Sequence, residues 1–192
     1  MADEIADLLP DEPLPIRLMN TVWADRDGRH DDLATAAGLR RWLAGAGFEP
    51  APKADLAAFV RLRDALRRIA AHVTADSRER AASAMADLDA AIAELNSVAV
   101  ARTPVLVRRD TGLVLDWETT ARGAEHALAA IGLAAAHLFT GEAATTLRAC
   151  YGPGCVLYFR KDHSRREWCS SGCGNRARAA RHYERHRAGK ST

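Results

Sequence analysis

The chain has 192 residues, 48% of them apolar and 27% charged, with a formal net charge of +2. This is ordinary globular usage at a length suited to one domain, or one domain plus a small module, and it excludes a wholly disordered chain. No run nears the roughly 20 apolar residues of a spanning helix. The acidic start MADEIADLLPDEPLP lacks the basic head and apolar middle of a signal peptide, so a cytoplasmic protein with no membrane partner is expected.

In chain order, residues 1–15 read as a flexible arm. The first patterned segment carries Leu33, Ala36, Leu39, Trp42 and Leu43 on one helical side, with Asp31 or Asp32 as the cap and Gly45 and Gly47 as the stop. A longer helix after Pro52 shows Phe59, Leu62, Leu66, Ile69 and Val73 as one apolar stripe. A further helix is predicted from near Asp76-Ser77, with the stripe Ala81, Met85, Leu88, Ile92, Leu95 and Ala99, forming an antiparallel pair with its predecessor. PVLVRRDTGLVLDW, residues 104–117, reads as a β-hairpin turning at Arg109–Gly112. Ala121 to Phe139 returns to helix, with Leu128, Ile131, Ala135 and Leu138 facing one way. The fold class is therefore mostly α: a helical N-terminal domain with one hairpin, residues 16–143, and an appended module, residues 144–192.

Charge divides along the same boundary. Residues 144–192 hold 11 bases and three acids, a net of +8, which leaves the preceding chain at −6. A basic terminal quarter on an acidic body points to a nucleic-acid or acidic partner for that quarter. All four cysteines lie there too.

Cys150 and Cys155 enclose four residues, Cys169 and Cys173 enclose three, and 13 residues separate the pairs. Two close pairs across a middle segment suit tetrahedral thiolate coordination of one structural zinc. A redox disulfide switch and coincidental buried cysteines are the competing readings, and a reducing compartment weighs against the disulfide. His163 lies between the pairs and could replace a cysteine, but reads better as a solvated loop residue. A knuckle, a short hairpin and a ligand at a helix head give a treble-clef-like finger ending in a helix. Four sulfurs close the coordination shell and leave no place for a catalytic water, so no enzyme is expected.

RACYGPGCVLYFRKDHSRREWCSSGCGNRARAARHYERHR strongly resembles the CGNR zinc finger, whose name matches Cys173-Gly174-Asn175-Arg176 here. The steps Trp168-Cys169-Ser170 and Asp162-x-Ser164 also fit. LMNTVWADR, followed by Asp32-Leu33 and Leu39-x-x-Trp42-Leu43, resembles the start of the ABATE domain that precedes this finger in bacterial proteins. The resemblance implies a stress-induced transcription regulator.

On a helix at about 100° per residue, with Arg176 at the origin, Arg181, Arg185 and Arg178 fall at about 140°, 180° and 200°. That row suits phosphate contact or entry into a major groove, with a merely solvated basic face as the alternative. Lys161, Arg160, Arg165 and Arg166 add charge on the neighbouring segment. Arg176 points elsewhere and is expected to fold back onto the zinc loop's carbonyls, with phosphate contact as the alternative. Asn175 is expected to bond locally, and Trp168 and Phe159 to form the module's small core.

Elsewhere, Asp25 and Asp27 have calcium-loop spacing, but Arg29 and Ala36 occupy positions that need oxygen ligands. Asn20 reads as a buried amide tying backbone, with a ligand-site contact as the alternative. The expected function is a regulator binding double-stranded DNA through the finger, with the body sensing a signal or dimerising. A homodimer is expected because one finger rarely gives high specificity. The alternative is a protein- or RNA-binding adaptor in which zinc only builds the scaffold. Neither operator nor effector is legible.

Overall fold

The computed structural model describes residues 8–49, 54–98 and 103–188, with the side chains of residues 187 and 188 left out. Residues 1–7 of the expected arm, Pro52 and Ala99 lie outside the described residues. The rest of that arm is not loose. Pro13 precedes α1 (Leu14–Met19), and Pro15 sits in its first turn, where a missing N–H costs nothing. Ile16, Leu18 and Met19 have no solvent exposure, and α1 packs on the helices that follow.

β1 (Val22–Ala24) and β2 (Arg29–Asp31) form an antiparallel hairpin, and the Asp25–Asp27 pair with calcium-loop spacing lies in its turn. Asp25 explains the turn. Its carboxylate accepts the N–H groups of Asp27 and Gly28 at 2.8 and 3.2 Å and meets His30 Nε2 at 2.8 Å. That carboxylate is taken up by the turn rather than offered to a cation.

α2 (Ala36–Gly45) is capped by Thr35, whose hydroxyl accepts from Gly38 N. The expected caps are engaged otherwise: Asp31 receives Leu33 N and pairs with Arg63, and Asp32 receives Trp23 Nε1. α3 (Leu56–Val73), capped by Asp55, buries the expected stripe Phe59, Leu62, Leu66 and Ile69.

The next helix is shorter than its periodicity suggests. α4 is Leu88–Ser97, capped by Asp87, and it packs on α3. Residues 76–87 are a turn of 3-10 helix, Glu79–Ala81, and irregular chain, because Asp76 and Ser83 bond nearby backbone instead of letting a helix propagate. Ile92 of the predicted stripe is 42% exposed, while Ala91 and Leu95 face the core.

β3 (Thr103–Arg109) and β4 (Gly112–Glu118) form the expected hairpin. α5 (Gly123–Leu138) buries Ile131, Ala135 and Leu138, and α6 (Gly141–Ala144) is a single turn. β5 (Leu147–Ala149) pairs antiparallel with β6 (Tyr158–Arg160), and α7 (Ser171–Ala188) follows. About half the chain is helical. No helix among the described residues is long and apolar enough to cross a membrane.

The body and the finger share one core. Leu147, Ala149 and Tyr158 belong to the same buried cluster as α1, α3 and α5. A second, smaller cluster joins Phe159, Leu157 and the four cysteines to Leu9 and Trp23 of the N-terminal part. The alternation of side chains along β6 explains both contacts: Tyr158 faces the body and Phe159 faces the sulfurs.

Candidate metal centre and basic helix

Cys150 and Cys155 lie on the loop between β5 and β6, while Cys169 and Cys173 flank the start of α7. All four are buried, and their sulfurs lie within 4.8 Å of one another. The Cys155–Cys169 and Cys169–Cys173 sulfurs are 3.8 and 3.3 Å apart. A tetrahedron with Zn–S bonds of ~2.3 Å has edges of about 3.8 Å, so the spacing fits one metal ion and is far too wide for a disulfide. His163 is exposed and away from the sulfurs.

Crowding sets the thiol acidities apart. Cys150 is driven down because its sulfur receives hydrogen bonds from the other three, while Cys155 and Cys169 are driven up, first by Cys150. Four acidic groups in one buried pocket are in conflict until a divalent cation joins them as thiolates.

Two glycines make the geometry possible. A Cβ on Gly152 would lie 2.9 Å from Cys173 Cβ and 3.1 Å from its sulfur, so the first knuckle touches the second only without a side chain there. A Cβ on Gly174 would lie 3.1 Å from the Trp168 ring. The indole therefore packs directly on the first turn of α7, whose positive end favours thiolates.

Donors around the sulfurs complete the site. Leu157 N and Cys169 N point at Cys155 and Cys150 sulfurs, both at 3.5 Å. Arg176 does fold back, but its guanidinium donates to Cys173 Sγ at 3.0 Å rather than to a carbonyl. Asn175 bonds locally, to the Arg178 guanidinium. Phe159 is buried and Trp168 half-buried beside the sulfurs.

Two body arginines missed in the sequence hold the finger from below. Arg78 Nη1 donates to the carbonyls of Cys150, Cys155 and Leu157 at 2.7, 3.2 and 3.3 Å. Its other nitrogens are gripped by the Asp76 carboxylate, which also accepts the Tyr158 hydroxyl. Burial works against both charges, yet mutual pairing wins: Asp76 is held below the usual carboxylate range and Arg78 is raised. Arg67, only 1% exposed, donates to Met19 O, Ala81 O and Val156 O. Burial brings it down to about 10, so it stays charged at neutral pH. Its neighbour Arg63 had a readable signal, since it lies about 40° from Phe59 on the α3 wheel, inside the buried face.

The basic residues divide into two groups. Arg178, Arg181 and Arg185 are exposed on α7, none with a carboxylate partner among the described residues. Arg165 is exposed and Arg160 lies on β6. Arg166 is not a free cation. It pairs with Glu12 at 2.7 Å and Asp162 at 3.2 Å, donates to Arg160 O and Cys169 O, and lies over the Phe159 ring. Lys161 is half-buried and lines a cleft between finger and body. Tyr183, also on α7, is 72% exposed.

Comparison with known families gives two matches. The ABATE family, described as "Putative stress-induced transcription regulator", matches residues 12–142, and the CGNR zinc finger matches residues 146–186. A search among curated proteins finds no match. The convergent cysteines, the glycines that admit them and the Cys173–Arg176 contact all lie within the second match. The chain belongs to the ABATE family, and its four cysteines form a CGNR zinc finger holding one structural zinc.

Proposed function

We propose that this chain is a regulator that binds double-stranded DNA through α7, with zinc serving only to fix that helix. One observation carries the reading: Arg178, Arg181 and Arg185 form an exposed row, without carboxylate partners among the described residues, on a helix anchored at its first turn by Cys173. Such a row neutralises phosphates while the metal holds its direction. The metal has no catalytic part in this reading, since four thiolates leave no open coordination position. The family's description adds transcription and stress as the context.

The body supplies a face for a second copy. On β3 and β4, Leu106, Leu113 and Leu115 are 70%, 67% and 64% exposed, with Trp117 beside them. Apolar patches of this kind mark association surfaces. A dimer through this hairpin would present two α7 helices to one duplex. The same face also favours the adaptor reading, in which it takes another protein.

The test is anisotropy titration of the zinc-loaded protein against random duplex DNA and matched RNA at several salt concentrations. Salt-dependent binding to duplex DNA is expected. Binding to neither nucleic acid would move the adaptor reading ahead.

A further inference from the structure

The seam between body and finger holds a cleft of about 570 Å³. Small-molecule sites span roughly 300–1,000 Å³. Its lining includes the rings of Tyr151, Phe159 and Trp168, the cations Arg148, Lys161 and Arg166, and one carboxylate, the exposed Glu167. Phe159 is buried and Arg166 is already paired with Glu12 and Asp162, which leaves Tyr151, Trp168, Arg148 and Lys161 to meet a ligand. Tyr151 follows the ligand Cys150 directly, and Trp168 directly precedes the ligand Cys169. Tyr151 is 52% exposed, and the Arg78 guanidinium lies 5.4 Å from its ring centre. Lys161 has no side-chain partner among the described residues, and Arg148 donates only to the carbonyls of Thr145 and Leu147. Neither Lys161 nor Arg148 forms an ion pair with a carboxylate among the described residues, Glu167 of the same lining included. The opposite wall is the end of α3, at Thr74.

These features select a ligand class. A bare oxyanion would satisfy the cations and leave the rings in water. A neutral apolar molecule would cover the rings and desolvate Lys161 without compensation. An aromatic heterocycle carrying a phosphate does both, through ring stacking and charge-assisted contact. We propose that the cleft binds a mononucleotide, its base against Tyr151 and Trp168 and its phosphate at Lys161 and Arg148.

Occupancy would be felt at the metal centre and in the body together. The ligand would touch the chain neighbours of Cys150 and Cys169 on one side and the end of α3 on the other. Two residues beyond Thr74 begins the Asp76–Arg78 clamp on the knuckle. The site thus lies where a small molecule alters how firmly α7 is held. This regulatory consequence rests on the DNA-binding reading; the ligand site itself does not.

The test is calorimetric titration of the full-length zinc-loaded protein with 5′-AMP and 5′-GMP, with adenosine and inorganic phosphate as controls. One of the nucleotides should bind with 1:1 stoichiometry, and both controls at least about tenfold more weakly, since a stacked base or a phosphate contact accounts for that much. Lys161→Ala, which changes no chain neighbour of a zinc ligand, and Tyr151→Leu should each weaken binding about tenfold with zinc content unchanged. No binding of either nucleotide, phosphate binding as tight as the nucleotides, or an unaffected Lys161→Ala would overturn the proposal. Duplex DNA binding is measured on the same protein. DNA binding without nucleotide binding removes the cleft and leaves the regulator; nucleotide binding without DNA binding upholds the cleft and removes the regulator.

Discussion

Asn20 holds Tyr158 by both backbone groups: its Nδ2 donates to Tyr158 O and its Oδ1 accepts from Tyr158 N, each at 2.9 Å. The side-chain amide thus acts as a strand partner for β6, joining the end of α1 to the finger across 138 positions of sequence. Both atoms are buried, so water cannot replace either bond. Asn20→Ala strands a buried N–H and a buried carbonyl, at about 1–3 kcal/mol each before relaxation. The expected loss is about 2–4 kcal/mol, read as a lower urea midpoint with an unchanged slope.

Zinc removal should destabilise more than the finger. Cys169→Ser is expected to release the metal, seen by elemental analysis. Because Arg78 and Arg67 bond finger carbonyls, and Leu147 and Tyr158 fill the body's core, the variant should lose stability throughout rather than melt in two independent steps. A truncated chain ending at residue 143 should likewise give a broad, weakly cooperative melt. A sharp melt would show that the body completes its core without β5 and β6.

Asp76 makes a pH-dependent contribution. Its carboxyl is held below the ordinary value of 3.8; burial alone would raise it, and the Arg78 and Tyr158 bonds outweigh burial. A depressed folded value stabilises the protein above the unfolded value and loses that stability as pH falls below 3.8 towards the folded one. Asp76→Asn should cost about 3–5 kcal/mol near neutral pH, because it leaves buried Arg78 uncompensated. The gap between variant and wild type should narrow as pH falls below 3.8. Glu12 acts in the opposite sense: burial raises its value, so its contribution is fullest below 4.5 and fades as pH rises through the folded value. Acid releases zinc from both proteins, so thermal melts are compared by difference.

The arginines of α7 should separate into two classes. Replacing Arg178, Arg181 and Arg185 with alanine should flatten the log–log salt dependence of duplex binding by about 2.7, at ~0.9 per phosphate, with zinc retained. Arg176→Ala removes the donor to Cys173 Sγ and should weaken zinc affinity about tenfold or more, as loss of a partner around a metal ligand does. Titrations with zinc content checked for each variant distinguish them.

The metal site was legible because its requirement is local: two cysteine pairs at fixed spacing, with Gly152 and Gly174 beside them. The stripes of α3 and α5 were legible for the same reason. The supports were not. Arg78 and Arg67 act on finger carbonyls 72 to 89 positions away, and a carbonyl carries no side-chain signature that sequence could pair with an arginine. The hairpin β1–β2 was hidden because Asp25 satisfies its turn through a side chain in a stretch too short for alternation to register. The helix from Asp76 failed where local side-chain bonds outcompeted an apolar period.

The same long-range closure has a consequence for how the chain is made. Glu12 receives Arg160 N, and Asn20 receives Tyr158. On the ribosome, residues 12–20 emerge with α1 already apolar, and their partners follow roughly 140 residues later. At about 5–20 residues per second, that is a wait of roughly 7–30 s. Through that interval Ile16, Leu18 and Met19 have no completed core to enter. The nascent chain therefore offers a hydrophobic handle to chaperones until β6 is released, and the rate at which full-length chains escape aggregation should track translation of the finger rather than of the body.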